Sequence, residues 1–430
     1  MKKRLFMFAT AALMLAACSN DGEVAVNDVS QLQSGSGAVA FDIYTSSATK
    51  AGDPGVQTTA TLQAENKGFG VFSTYTDGAE YASATAKPNF MYNQWVKYVD
   101  GAWTYTPLKY WPNETLVDSQ TDPATGGETY ADNLSFFAYA PYVATASGAA
   151  GITEMSAKNA TGDPKITYAV ATDPAQSVDL LWGVAPAGGL SYPNVAGGTT
   201  TVPEGMPLKN LIKPDKDQKI KFLFKHALSR IGLKVVGAFD QVAAGGSKDA
   251  NTKITVKQID IYGTGQIGIS GVLNLNNTDA GKALWTDVTK ATGAAPVFSI
   301  SGDALNTTIK DGGAVAFASQ PAGVTAEEKN VFQDVNKYFM VIPTGAGTEI
   351  TVKVTYYTQT KDDNLAVTGE VDGSRVENVI TKTIPVNLEN NKAYNLKLIL
   401  GMTSVKLDAE VADWQVDGSN EVYLPQNTAE

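Results

Sequence analysis

A chain of 430 residues carries 33 Lys and Arg against 44 Asp and Glu, with one histidine and one cysteine. Those counts exclude an internal disulfide and a histidine-rich metal site. The net charge of −11 argues against a nucleic-acid partner, because displacing phosphate counterions needs clustered cations and no basic patch stands out. The 40 glycines and 18 tyrosines, with short alternating apolar runs and no long amphipathic stretch, predict an all-β chain. Its length suffices for two domains of ordinary size.

The chain opens on Lys2, Lys3 and Arg4, followed by an apolar run over residues 5–15 that is too short to span a bilayer, and then Ala16, Ala17 and Cys18. This is the layout of an export signal. Small residues before a cysteine resemble a bacterial lipobox, so residues 1–17 are expected to be a signal peptide cut between Ala17 and Cys18. Cys18 is then the acylated N-terminus, and outer-membrane lipid is a partner through its acyl chains. Loss of the three leading cations leaves 30 Lys and Arg against 44 acidic residues, a charge of −14. An ordinary secretory signal that happens to end in cysteine is the alternative.

Val39, Phe41 and Ile43 alternate with Ala40, Asp42 and Tyr44, which predicts a first strand with one apolar face. A polar, Gly- and Pro-containing stretch over 46–55 follows and includes Lys50 and Ala51. Alternating runs recur at 68–72, 254–261 and 350–357, bounded by Gly, Asp, Asn or Pro, as in antiparallel sandwiches. The polar break Lys213-Pro214-Asp215-Lys216-Asp217 sets an expected boundary between domains over 51–215 and 216–402. Near the end, Val405, Leu407, Ala409 and Val411 alternate with Lys406, Asp408 and Glu410, and Trp414 and Val416 extend the pattern. After the turn signal Asp417-Gly418-Ser419-Asn420, Val422 and Leu424 belong to a second short strand. Residues 403–430 therefore form a separate terminal segment.

Catalytic and ligand-binding patterns are weak. His226 lies inside the alternating run Phe222-Leu223-Phe224-Lys225-His226, where a strand residue with structural hydrogen bonds is the natural reading, and no G-x-S-x-G motif lies near it. Asp118, Asp122 and Glu128 share a loop but lack the spacing of a calcium-wrapping sequence. Trp95, Trp103 and Trp111 suit either a sugar-stacking platform or core packing, and the second is the simpler. No cofactor or metal and no enzymatic activity is expected.

Tyr105-Thr106-Pro107-Leu108-Lys109-Tyr110-Trp111-Pro112, Leu134-Ser135-Phe136-Phe137-Ala138-Tyr139-Ala140-Pro141 and Asp179-Leu180-Leu181-Trp182-Gly183 follow one another in the first half. Phe224-Lys225-His226-Ala227-Leu228-Ser229-Arg230-Ile231, Tyr338-Phe339-Met340-Val341-Ile342-Pro343 and Asn391-Lys392-Ala393-Tyr394-Asn395-Leu396 follow in the second. In this order, behind a lipobox, they resemble the fimbrillins of Bacteroidetes, the type V pilins. The resemblance implies two transthyretin-like antiparallel β-sandwich domains in tandem, in a lipoprotein precursor that becomes part of a cell-surface fimbrium serving adhesion and biofilm formation. It implies that residues 18–50 are a propeptide whose strand, with Val39, Phe41 and Ile43, is removed by cleavage between Lys50 and Ala51. Family members typically have arginine at that point, and lysine here fits a trypsin-like protease. Lys50 as a plain solvated loop residue is the alternative. The resemblance further implies that Val405, Leu407, Ala409, Val411, Trp414, Val416, Val422 and Leu424 form a donor strand for the next pilin subunit. In the alternative, these strands complete their own sandwich and the chain is a non-polymerising anchor or glycan-binding adhesin.

Overall fold

A computed structural model describes residues 37–45, 56–112, 116–121, 128–194, 196, 198–214, 218–237, 252–278, 283–311, 329–333, 338–366, 373–400 and 405–413. In chain order the first half contains β1 (Phe41–Thr45), helix α1 (Thr59–Gln63), β2 (Phe69–Tyr75), β3 (Met91–Val99), β4 (Ala102–Thr104), β5 (Leu116–Thr121), β6 (Glu128–Tyr130), β7 (Leu134–Ala140), β8 (Ile152–Met155), β9 (Lys165–Ala169), β10 (Leu181–Val184), β11 (Leu190–Pro193), β12 (Thr199–Val202) and β13 (Leu208–Leu211). It continues with β14 (Ile220–His226), β15 (Ser229–Gly237), β16 (Thr252–Tyr262), β17 (Gly268–Asn274), β18 (Leu284–Lys290), β19 (Phe298–Ser301), helix α2 (Thr307–Lys310), β20 (Lys329–Asn330), β21 (Phe339–Val341), β22 (Gly345–Lys361), β23 (Gly373–Leu388), β24 (Lys392–Leu400) and β25 (Val405–Asp413). The fold is all-β, as the composition predicts.

The largest sheet runs β1-β14-β10-β7-β2-β3-β4, with β13 also on β7. Its central strands β2, β7 and β10 are buried on both faces. Along β7 every residue is buried, and alternate side chains serve different cores: Leu134, Phe136 and Ala138 join one, Phe137 and Tyr139 the other. A strand covered on both sides reads as a continuous apolar run, which is why Leu134-Ser135-Phe136-Phe137-Ala138-Tyr139-Ala140 shows no alternation. β1 is one-sided, with Phe41 and Ile43 buried and Tyr44 exposed.

The second core lies between this sheet and the sheet β18-β17-β9-β8, which mixes strands from both halves of the chain. Asp163 ties the same halves together: its carboxylate accepts from Tyr81 Oη at 3.1 Å, Asn276 Nδ2 at 3.0 Å and Asn274 Nδ2 at 3.2 Å. Burial alone raises such a carboxyl, but hydrogen bonds from Ser83, Asn276, Asn274 and Tyr81 outweigh it and hold Asp163 below its ordinary range. The third core fills a sandwich between the sheets β19-β16-β22-β23 and β20-β15-β24-β25. Strand β14 lies on the C-terminal side of the expected 215/216 boundary, yet it pairs with β1 and β10, so the first sheet's chain runs to His226. The polar break at 213–217 is a connection between two strands of one sheet.

Gly183 of β10 sits opposite Phe224 of β14 and Ala138 of β7. A Cβ there would lie 2.9 Å from a ring carbon of Phe222 and 3.0 Å from Ala138 Cβ, so the close approach requires glycine. Gly183→Val is expected to lower unfolding free energy by about 1–3 kcal/mol through overpacking, read from urea denaturation. An unchanged midpoint would contradict the close packing.

Candidate functional site

The site is the seat of β1. In parallel register Phe41 lies beside Ile220, Ile43 beside Phe222 and Thr45 beside Phe224. The Phe41 ring meets Phe69, Tyr105 and Phe136 edge-on and stacks against Phe222, with centroids 5.5 to 6.3 Å apart. Val39, Phe41 and Ile43 are all at most 5% exposed, so the face expected to be apolar is core. Burying three such side chains contributes roughly 1.5–3 kcal/mol each.

The inner edge of β1 pairs with β14, and Ile220 N donates to Ala40 O at 2.8 Å. Its outer edge is blunted by other groups. Val39 N donates to Lys109 O at 2.8 Å, Trp111 N donates to Gly37 O at 3.0 Å, and Ala38 bridges Tyr110 in antiparallel fashion. Tyr105 Oη donates to Val39 O at 2.8 Å. Ile43 N donates to the carboxylate of its neighbour Asp42 at 2.9 Å, and Thr45 N to Thr59 Oγ1 at 3.0 Å. Such caps keep an edge strand from templating further chains.

Immediately downstream of 46–55, Val56 is buried in the second core and Leu62 of α1 in the first. Gln57 N donates to Asp179 Oδ2 at 3.2 Å, and the same oxygen lies 2.6 Å from His226 Nδ1. His226 is 1% exposed and fastens the end of β14 to this carboxylate, a structural role matching its place in a strand. Trp103 and Trp111 are core residues around β1, and Trp95 stacks on Tyr142 at 5.2 Å with Lys97 Nζ 5.1 Å from its ring. Among the described residues no group of three His, Cys, Asp or Glu side chains is placed to hold a metal ion, and no helix is long and apolar enough to cross a membrane.

The alternating segment from Val405 forms β25, which pairs antiparallel with β24 from Lys392 opposite Asp413 to Leu400 opposite Val405. Val405, Leu407, Ala409 and Val411 lie on this edge strand; Trp414, Val416, Val422 and Leu424 lie outside the described residues, as do Ala17, Cys18, Lys50 and Ala51. The groups that hold the outer side of residues 39–45, Asp42, Thr59 and Tyr105, carry no recognisable spacing in the sequence. The spacing of Thr58 to Thr61, a capping box with threonine at both positions, is the local mark of α1, whose Thr58 hydroxyl accepts from Thr61 N at 3.1 Å.

Burial pushes the Tyr105 hydroxyl up to about 12, against the opposing pull of its hydrogen bond with the Lys109 backbone. Because the folded value lies above the unfolded value near 10, the stabilisation is complete below about pH 10 and is lost as pH rises from there through about 12. Tyr105→Phe is expected to flatten the fall of stability over that alkaline range and to weaken the chain by about 1 kcal/mol. Urea midpoints measured from pH 8 to 11 check both; an identical alkaline slope in the variant would contradict the assignment.

The profile of the fimbrillin-like family matches residues 128–414. Fimbrium subunit Fim1C of Phocaeicola vulgatus is 30% identical over 175 residues, which is 40% of this chain and 40% of that relative. The chain therefore spans about two fifths of the length of that curated relative. The crystal structure of a fimbrial protein from Bacteroides vulgatus superposes with a TM-score of 0.59 at 22% identity, covering 88% of this chain and 99% of that one, so the two share a fold. With the family profile extending over more than half its length, from β6 to just past the end of β25, this chain belongs to the fimbrillin-like family.

Proposed function

We propose that this chain is a structural subunit of a surface fimbrium that polymerises by exchange of β1 for a strand from a neighbouring subunit. The observation that carries the reading is the seating of β1: an edge strand whose three apolar side chains fill an aromatic groove, while β14 beneath it remains paired with β10 on its other side. Departure of β1 leaves Phe69, Tyr105, Phe136 and Phe222 facing an empty channel and one edge of β14 unpaired, an arrangement that takes up an extended strand from elsewhere. The chain is exported as a lipoprotein, held at the outer membrane through acylated Cys18, and released for assembly when a trypsin-like protease cuts between Lys50 and Ala51. Val405, Leu407, Ala409 and Val411, continued by Trp414, Val416, Val422 and Leu424, supply the alternating apolar face of the donor. The domains are two transthyretin-like sandwiches in tandem, the neighbours are other pilin subunits, and the filament serves adhesion and biofilm formation.

A second reading, a surface lipoprotein that does not polymerise, is favoured by one feature: β25 pairs along its length with its own β24. Treating precursor that lacks its signal and Cys18 with a trypsin-like protease separates the two. A new N-terminus at Ala51 accompanied by SDS-resistant ladders or filaments in electron micrographs is the expected result, and Leu407→Asp or Val411→Asp should abolish assembly while the uncut chain stays folded. A chain that is cut at Lys50 and remains monomeric would favour the anchor or adhesin.

A further inference from the structure

The two flanks of residues 46–55 are tied to each other by side chains. Thr45, the last residue of β1, donates its N–H to Thr59 Oγ1 at 3.0 Å. Thr59, the first residue of α1, returns its N–H to Thr45 Oγ1 at 3.1 Å, and the two hydroxyl oxygens lie 3.2 Å apart. Thr45 is 9% exposed, so water competes poorly for these bonds.

Thr59 is itself fixed from outside β1. A five-residue helix such as α1 is too short to persist on its own, but this one is anchored at both ends. Leu62 is fully buried in the first core and Val56 is buried in the second. Thr58 and Thr61 form a reciprocal capping box, and Gln57 N is held by Asp179, the partner of His226. The body of the protein therefore holds Thr59, and Thr59 holds the end of β1, by contacts that none of residues 46–55 supplies.

We infer that Thr59 is a latch that keeps β1 seated after the backbone is cut between Thr45 and Val56, so that proteolysis and strand release are separate steps. The inference rests on the reading of β1 as a removable strand and adds the element that times its removal. A cut removes only the covalent tether, and with it the high effective concentration of β1 at its groove. The apolar face, the β14 ladder and the Thr45–Thr59 pair all survive. The cut precursor then stays closed until an incoming strand competes for the groove, and that strand must open either the threonine pair at one end of β1 or the contacts to 109–111 at the other. Free subunits with open grooves do not accumulate, which suppresses unproductive association through exposed edges.

The test replaces residues 48–53 with the recognition sequence of a site-specific protease, so that the cut does not depend on which enzyme acts naturally. After cutting, the N-terminal fragment is followed by size-exclusion chromatography with mass detection, and its release is timed in excess synthetic peptide spanning residues 37–45. The fragment should co-elute with the body of the wild-type chain. Thr59→Val, which keeps the shape but loses both side-chain bonds, should release it about tenfold faster, the loss expected for two ordinary hydrogen bonds. Thr59→Ser, which keeps the hydroxyl, should return release to near the wild-type rate. A wild-type fragment lost as soon as the chain is cut, or equal rates in wild type and Thr59→Val, would overturn the latch while leaving strand exchange standing. A fragment that no excess of peptide displaces from any variant would instead contradict the removable strand itself.

Discussion

Phe41 sits where the rings of Phe69, Tyr105, Phe136 and Phe222 converge, and that convergence depends on a strand whose one ladder is with β14. The three apolar side chains of residues 39–43 contribute roughly 1.5–3 kcal/mol each, against a typical net stability of about 5–15 kcal/mol for a whole domain. A groove emptied of β1 thus forfeits a large share of the stability of its domain. Refilling by another strand of alternating apolar residues recovers it, and the same magnitude sets how firmly subunits joined in this way would hold together. The constraint is one of sequence position as well as energy: β1 comes first among the described strands, so its departure breaks no later connection.

The rest of the first sheet is built so that this loss is local. β14 keeps β10, β10 keeps β7, and β7 keeps β2. On the far face the sheet packs against β9 and β17, where Phe72, Phe137, Tyr139 and Trp182 meet Tyr168, Leu273 and Ile342. The second core, reinforced by the Asp163 hydrogen bonds, draws no residue from β1. Under the proposed strand exchange one face of the sheet is refilled while the other stays closed, which is the physical requirement for a subunit that trades a strand without unfolding. On the side away from β14, Lys109 and Tyr105 hold the backbone of Val39, and Asp42 and Thr59 take up the N–H groups of Ile43 and Thr45.

Period-two alternation made the apolar face of β1 legible, because a strand with one wet side leaves that pattern in the sequence. The same rule made β25 legible as a strand. It said nothing of pairing. That β1 lies parallel to β14, far away in the chain, has no local signature, and a polar run such as 213–217 looks the same whether it separates domains or joins two strands of one sheet, here β13 and β14. The mixed sheet of β8, β9, β17 and β18 was equally hidden, since β9 and β17 are paired only through tertiary contacts. His226 is legible as a strand residue from its alternating run, but its partner Asp179, 47 residues away in the chain, leaves no mark of the pairing in the sequence. Thr45 and Thr59 carry no sequence signal, because a reciprocal side-chain to backbone pair depends on where two turns of chain meet and not on any spacing between them.

The most direct test of the account is a titration of chain beginning at Ala51 with a synthetic peptide spanning residues 403–424, followed by calorimetry and thermal unfolding. The account predicts that the shortened chain is markedly less stable than the full one, binds one peptide per groove, and regains the lost thermal stability as it does so. Phe222→Asp in the groove should abolish that binding. A shortened chain that is as stable as the full one and ignores the peptide would contradict the claim that β1 occupies a replaceable seat.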